Sequence, residues 1–253
     1  MNSAIVVIGI GEMGSVFACG FLRCGHPVYP ITRGEDIATA ASAMPEPELI
    51  LVALAEGDLQ PTLEQIPHAW RNKLTLLQNE LLPRDWQQHQ LENPTVISVW
   101  FEKKKGQESK VIIPSPVFGP HAKLISDGLE SIDIASNILS HEDELLYELV
   151  RKNVYILTSN IAGIVAGGNV GELWADHREF ASAVANEVID IQEYLTGNSL
   201  PRTKLVNGMV EAFDGDRAHE CMGRSAPARL GRALALAAEA GIDTPKLNEI
   251  AAK

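Results

Sequence analysis

Residues 4–14, Ala-Ile-Val-Val-Ile-Gly-Ile-Gly-Glu-Met-Gly, restrict the fold more than any other stretch of the 253-residue chain. A β-branched run stops at a glycine-rich turn, and a helical pattern through Val16, Phe17, Gly20 and Phe21 begins at once. The local order is therefore strand, turn, helix. In that setting the three glycines have separate tasks. Gly9 permits the tight turn, Gly11 lets a pyrophosphate approach the backbone, and Gly14 lets the helix pack closely on its strand while the free N–H groups of its first turn face the phosphates. Ile10, Glu12 and Met13 occupy the variable positions, so residues 9–14 together are candidate dinucleotide contacts. The competing reading is a glycine turn that joins a strand to a helix and holds no ligand. A second strand-like run over residues 27–32 follows the first helix and favours the nucleotide.

The end of that second strand bears on which nucleotide. Many folds of this kind place an acidic residue there, which accepts from a ribose 2′-hydroxyl and repels a 2′-phosphate. Here the sequence is Thr32-Arg33-Gly34. A guanidinium at that place can pair with a 2′-phosphate, so NADP is expected over NAD, with Thr32 and Arg33 among its contacts. The bland alternative is a surface arginine that ends a strand.

Further along, residues 36–44 read as a short alanine-rich helix, 48–53 as a buried-type strand, 55–66 as a helix and 73–79 as another strand with Gln78-Asn79 at its carboxyl end. Ligands of open parallel sheets lie at such carboxyl ends. Leu54 is accordingly a cofactor candidate, and Asn79 is a candidate for cofactor or substrate, or merely a turn cap. Residues 84–91 look helical, 95–101 and 110–114 look like two strands paired antiparallel through the Lys103-Lys104-Lys105 run, and 131–135 looks like a last weak strand. From Ser140 onward the texture changes. Ser140 with Asp143 resembles an N-terminal cap, and helical periodicity covers 142–158, 161–167, 177–196, 201–213, 226–240 and 245–252. The expected fold is α/β, with an N-terminal Rossmann-like doubly wound domain over residues 1–139 and a C-terminal all-helical domain over 140–253.

A net charge of −12 and a pI near 5.0 argue against nucleic acid as a partner. Cys19, Cys24 and Cys221 show no metal-ligand spacing, and their odd number suits free thiols in a reducing, cytoplasmic setting with no metal. Residues 161–170 are too few and too glycine-rich to span a bilayer, so no membrane is expected.

The second half carries a resemblance. The stretch Glu148-Leu149-Val150-Arg151-Lys152, with Asn160 eight residues on and Gly171-Glu172-Leu173 beyond it, resembles the helical domain of the ketopantoate reductase (2-dehydropantoate 2-reductase) family. The glycine turn, Arg33, Gln78-Asn79 in place of the family's asparagine-glycine pair, and the closing Gly241-Ile242-Asp243-Thr244-Pro245 are similar too. The resemblance implies NADPH-dependent reduction of a small keto acid in a cleft between two domains, the helical one serving substrate binding and dimerisation, which makes a homodimer one option. It implies that Lys152 is the catalytic lysine donating to the carbonyl oxygen and that Asn160 binds substrate. Read alone, Glu148 and Lys152 also suit an exposed helix-surface pair. Three family contacts are altered: Ile156 stands for an asparagine, Ala55 for a lysine, and Ser225, a substrate-binding candidate, for an acidic residue. The substrate contacts are therefore expected to differ from those for ketopantoate. The other readings are a β-hydroxyacid dehydrogenase type of enzyme, against which the Asn160 and Gly171-Glu172-Leu173 spacing argues, and an NADP-binding sensor or scaffold without catalysis.

Overall fold

In the computed structural model, which describes residues 2–253, the chain divides into two compact units, the first ending at Glu148 and the second beginning at Leu149. The first unit runs β1 (Ile5–Ile8), α1 (Glu12–Arg23), β2 (Val28–Ile31), α2 (Ile37–Ala43), β3 (Leu49–Val52), α3 (Glu56–Gln65), a 3-10 turn (His68–Lys73), β4 (Leu74–Leu76), α4 (Pro83–Gln87), β5 (Thr95–Ile97), β6 (Phe101–Glu102), β7 (Lys110–Val111), β8 (Ser115–Phe118), α5 (Ala122–Glu130) and β9 (Ser136–Ile138). Seven strands form one sheet in the order β2-β1-β3-β4-β5-β8-β9. The first five are parallel, β8 is antiparallel to β5, and β9 is parallel to β8.

β1 and β3 are buried at every position, which explains why both read as unbroken apolar runs: helices cover the sheet on both faces. On one face Phe17 and Phe21 of α1 pack with Ile125 and Leu129 of α5 over Ile5, Val7, Leu49 and Leu51. The two helices meet backbone to backbone, since a Cβ built on Gly20 would lie 2.2 Å from the Gly128 carbonyl oxygen. At the sheet's edge Pro30 of β2 lies opposite Val7. Bonds from Ile5 N to Pro27 O and from Gly9 N to Ile31 O set the alternation along β2. That alternation turns the Pro30 nitrogen away from β1, so its missing N–H removes no ladder bond.

The division between units falls inside α6 (Glu142–Ala166), after which come α7 (Val170–Asp176), α8 (Arg178–Thr196), α9 (Arg202–Gly215), α10 (Ala226–Ala240) and α11 (Pro245–Ala251). In the second unit almost every residue of α6 from Leu149 to Ala162 is buried, which makes it the central helix there. Its polar side chains act as ties. Arg151 donates to the Gly208 carbonyl at 3.0 Å and pairs with Glu211 at 3.1 Å, and Asn153 donates to Gln192 at 2.9 Å. Buried Glu187 accepts from the amides of Lys246 and Leu247 at 2.8 and 2.9 Å, capping α11 from α8. Among the described residues no helix is long and apolar enough to cross a membrane.

Several expectations need correction. Residues 142–158 and 161–167 form one helix, because nothing at Ser159-Asn160 interrupts the backbone ladder and the stop comes at Gly167 and Gly168, both at positive φ. Residues 131–135 are the turn after α5, not a strand: Ile132 and Ile134 both donate back to the Leu129 carbonyl around Asp133, whose φ is 61°. The expected antiparallel pair survives only as Phe101–Glu102 with Lys110–Val111, and the partner of Thr95–Ile97 is Ser115–Phe118. The helix expected over 84–91 is Pro83–Gln87, ending before Gln90 at φ 59°. Ahead of α6 the capping carboxylate is Glu144, not Asp143; it accepts from the amides of Ser140 and His141 at 2.8 and 3.0 Å.

Candidate functional site

In the first unit, the chain order reverses at β1, whose neighbours are β2 and β3. Such a switch point opens a crevice at the strands' carboxyl ends. The turn after β1 lies there. Gly9 has φ 91°, and a Cβ on it would sit 2.6 Å from the Ala53 carbonyl oxygen and 2.7 Å from Leu54 Cδ2. A Cβ on Gly14 would sit 2.0 Å from the Gly9 carbonyl oxygen, so the first turn of α1 is pressed onto the end of β1. Gly11 differs: a Cβ there would meet nothing within 4 Å. It is the N-cap residue of α1, and no side chain caps that end. The first-turn amides therefore carry no side-chain cap, and the positive end of the helix dipole lies behind the opening at Gly11. Ile10 and Glu12 are exposed and Met13 half-buried around this opening. Glu12 adds a negative charge beside it.

Leu54 thus stands beside Gly9, and Asn79 lies two strands over, donating to Glu56 Oε1 at 3.2 Å. Gln78 is buried and serves structure: its amide donates to the Val52 carbonyl at 2.7 Å and ties β4 to β3. The left-handed backbone of this turn is at Glu80, with φ 62°. By backbone shape an asparagine-glycine pair corresponds to Asn79-Glu80, one position later than the sequence register. Thr32 and Arg33 are exposed at the end of β2. Thr32 is bonded to a carboxylate that sequence reasoning passed over, Glu35.

In the second unit Lys152 is half-buried on α6, while Asn160 is buried. Eight residues of helix separate them by about 12 Å along the axis and about 80° around it. Asn160 Oδ1 accepts from Arg229 Nη1 of α10 at 2.9 Å. Arg229 is only 8% exposed and was not visible as a site residue, since an arginine in an alanine-rich helix reads as a surface charge. Ser225 is the exposed N-cap residue of α10; its carbonyl accepts from Arg229 N, and its hydroxyl caps nothing. Gly171-Glu172-Leu173 lies in α7, a helix the sequence reading missed. Asn169 and Glu172 cap it reciprocally at 3.1 and 2.9 Å, and Asn-x-x-Glu was the signal that marked it.

The cysteines are all free. Cys19 is exposed, and Cys221 is buried with its thiol pushed up to about 11, first by desolvation and then by the Glu172 charge. At pH 8 only about a thousandth of such a thiol is thiolate. Thiol reagents should therefore modify Cys19 readily and Cys221 only on unfolding, with three thiols counted in denaturant without reductant. Rapid labelling of Cys221 in the folded protein would contradict the burial.

No family model matches the chain, and no curated protein matches it. Solved structures do. A 2-dehydropantoate 2-reductase from Methylococcus capsulatus superposes with a TM-score of 0.72 at 14% identity, over 98% of this chain and 94% of that one. A dimeric ketopantoate reductase from Staphylococcus aureus gives 0.65 at 15% identity, over 98% and 96%. D-mandelate dehydrogenase with NADH gives 0.68 at 15% identity, over 98% and 96%. The chain has the ketopantoate reductase fold, with a Rossmann-like N-terminal part.

Proposed function

We propose that the chain is an NADPH-dependent oxidoreductase that reduces a small 2-keto acid or related carbonyl. The observation that carries this reading is the open, uncapped N-terminus of α1 at Gly11, held between the close-packed Gly9 and Gly14 at the switch point of a parallel sheet. A pyrophosphate fits that opening, because no side chain caps the amides there and the missing Cβ at Gly11 leaves the backbone accessible. Likeness to reductases, and to a dehydrogenase solved with NADH, supports the reaction class.

In this reading residues 1–139 hold the nucleotide and residues 140–253 the substrate. Gly11, Glu12, Met13 and Gly14 supply backbone donors to the pyrophosphate; Gly9, Ile10, Leu54 and Asn79 line the crevice; Thr32 and Arg33 meet the adenosine ribose. When bound, the reduced nicotinamide supplies a hydride to the carbonyl carbon. Lys152 then stabilises the charge that builds on the carbonyl oxygen and delivers its proton. Asn160, its Oδ1 held by Arg229 and its Nδ2 donating to Ser159 Oγ at 3.5 Å, keeps a second amide N–H for substrate, and Ser225 offers a hydroxyl. The dimeric neighbour supports a homodimer.

Arg33 makes the cofactor choice testable. A charged hydrogen bond contributes about 1.5–3 kcal/mol, and exposure favours the low end of that range. NADPH should therefore bind about tenfold more tightly than NADH, and Arg33→Ala should remove that preference while leaving NADH affinity unchanged. Nucleotide titrations, run beside NADPH oxidation with a panel of 2-keto acids, decide it. Equal affinities unchanged by Arg33→Ala would refute the NADP reading, and tight NADPH binding with no turnover on any carbonyl would point to a sensor.

A further inference from the structure

The chain closes a tight turn over residues 32–35. Glu35 N donates to the Thr32 carbonyl at 3.1 Å, and Gly34, at φ 95°, provides the left-handed backbone that the third position of such a turn requires. The turn is also closed from the other side. One carboxylate oxygen of Glu35, Oε2, accepts from Thr32 N at 2.5 Å and from Thr32 Oγ1 at 2.6 Å. Both donors at the end of β2 are thus committed to one anionic group. Arg33, at the second position, is exposed and takes no part in this bonding.

We infer that Glu35 is the residue that limits discrimination between the two nicotinamide nucleotides: its carboxylate occupies the donor pair a 2′-phosphate would use. The inference rests on the nucleotide-binding reading above and goes beyond it. A phosphate and a carboxylate cannot share the same N–H and O–H. Either the carboxylate swings away and loses two short bonds, or the phosphate rests on Arg33 alone with a negative charge next to it. Both outcomes weaken NADP selectively. The 2′-hydroxyl of NAD makes no such demand, and it can itself donate to a carboxylate at this place. Nothing packs Glu35 in place, because the side chain is exposed, so the two Thr32 bonds alone hold it. The same two bonds keep its carboxyl below the usual range, and the group is ionised at neutral pH.

The test is equilibrium titration of NADPH and NADH against the full chain and its Glu35→Gln, Glu35→Ala, Arg33→Ala and Thr32→Val/Glu35→Ala forms. Glu35→Gln keeps an acceptor for Thr32 and removes only the charge, so it guards against collapse of the turn. NADPH should tighten about tenfold in Glu35→Ala and by a smaller factor in Glu35→Gln, whose amide oxygen still takes up the Thr32 donors, with NADH changed by less than about threefold in either. The gain should be smaller in the double variant, which keeps the Thr32 N–H but no longer has the hydroxyl. Unchanged or weaker NADPH binding in both Glu35 variants, with Arg33→Ala still selectively impaired, overturns the role of Glu35 and leaves the nucleotide reading in place. Equal tightening of both nucleotides overturns it as well, by reducing Glu35 to a general charge. Absence of binding of either nucleotide to the unaltered chain overturns both.

Discussion

Lys152→Ala should reduce turnover by a factor of about a hundred or more on whichever carbonyl the chain reduces, while NADPH affinity stays within about twofold. The expected loss is the scale of a positioned acid withdrawn from a reacting oxygen. Its setting on α6 separates this role from a structural one. The neighbours Arg151 and Asn153 are the buried ties to α9 and α8, whereas Lys152 is half-buried between them and bears neither of those bonds. Its truncation leaves those two ties in place and should cost less stability than truncation of Arg151. Arg151→Ala should lower stability by leaving the Gly208 carbonyl and Glu211 without their donor. Lys152→Arg should not restore turnover, since a guanidinium differs in shape and holds its proton too tightly to give it up. Wild-type turnover in Lys152→Ala would return Lys152 to a helix-surface pair with Glu148 and leave the acid unassigned.

Gly20→Ala should destabilise the protein by about 2 kcal/mol, although alanine is the better helix former. Propensity alone favours alanine over glycine by about 1 kcal/mol. Against it stands the 2.2 Å approach to the Gly128 carbonyl oxygen, which no side-chain rotation relieves because the obstacle is backbone. α1 and α5 must separate, loosening Phe17, Phe21, Ile125 and Leu129, and overpacking of this kind costs about 1–3 kcal/mol or more. The net effect should lower the midpoint of thermal unfolding by roughly 4–8 °C. Gly231→Ala, in the exposed face of α10 with nothing within 4 Å of the new Cβ, isolates the propensity effect and should raise it slightly. Equal shifts for the two substitutions would show that the α1–α5 contact is looser than described.

What could be read in the sequence was what local chemistry determines. The glycine turn declares its geometry within six residues, and α10 and α11 carry their own stops and starts in Gly241 and Pro245. α5 was invisible because Gly128 interrupts its pattern, and the reason for that glycine lies at the Phe21 ring, 107 residues earlier, which a Cβ there would meet at 3.2 Å. β8 was missed because Ser115-Pro116 does not look like a strand, although Pro116 takes its place beside Asn137 of β9. At the candidate sites, Arg33 was legible as a charge at a strand end. Glu35 is not legible there, because its effect comes from folding back onto Thr32 and not from its own position. Arg229 was beyond reach, since only the packed structure shows that Asn160 is its partner.

Pro30 has a consequence for how the folded chain behaves among its own copies. A sheet with an open outer strand can recruit another strand, and that is a route to fibres. The outward-facing nitrogen of Pro30 has no hydrogen to offer there, and a proline's fixed φ holds the edge to one shape. The opposite border is β9, three residues long and mostly polar, with exposed Ile138 at its end. Replacing Pro30 with valine would lengthen the unbroken row of donors along one border without disturbing the ladder to β1. The cost would appear not in the melting curve but in turbidity during storage at high concentration, where a seven-stranded sheet with an unguarded border begins to polymerise.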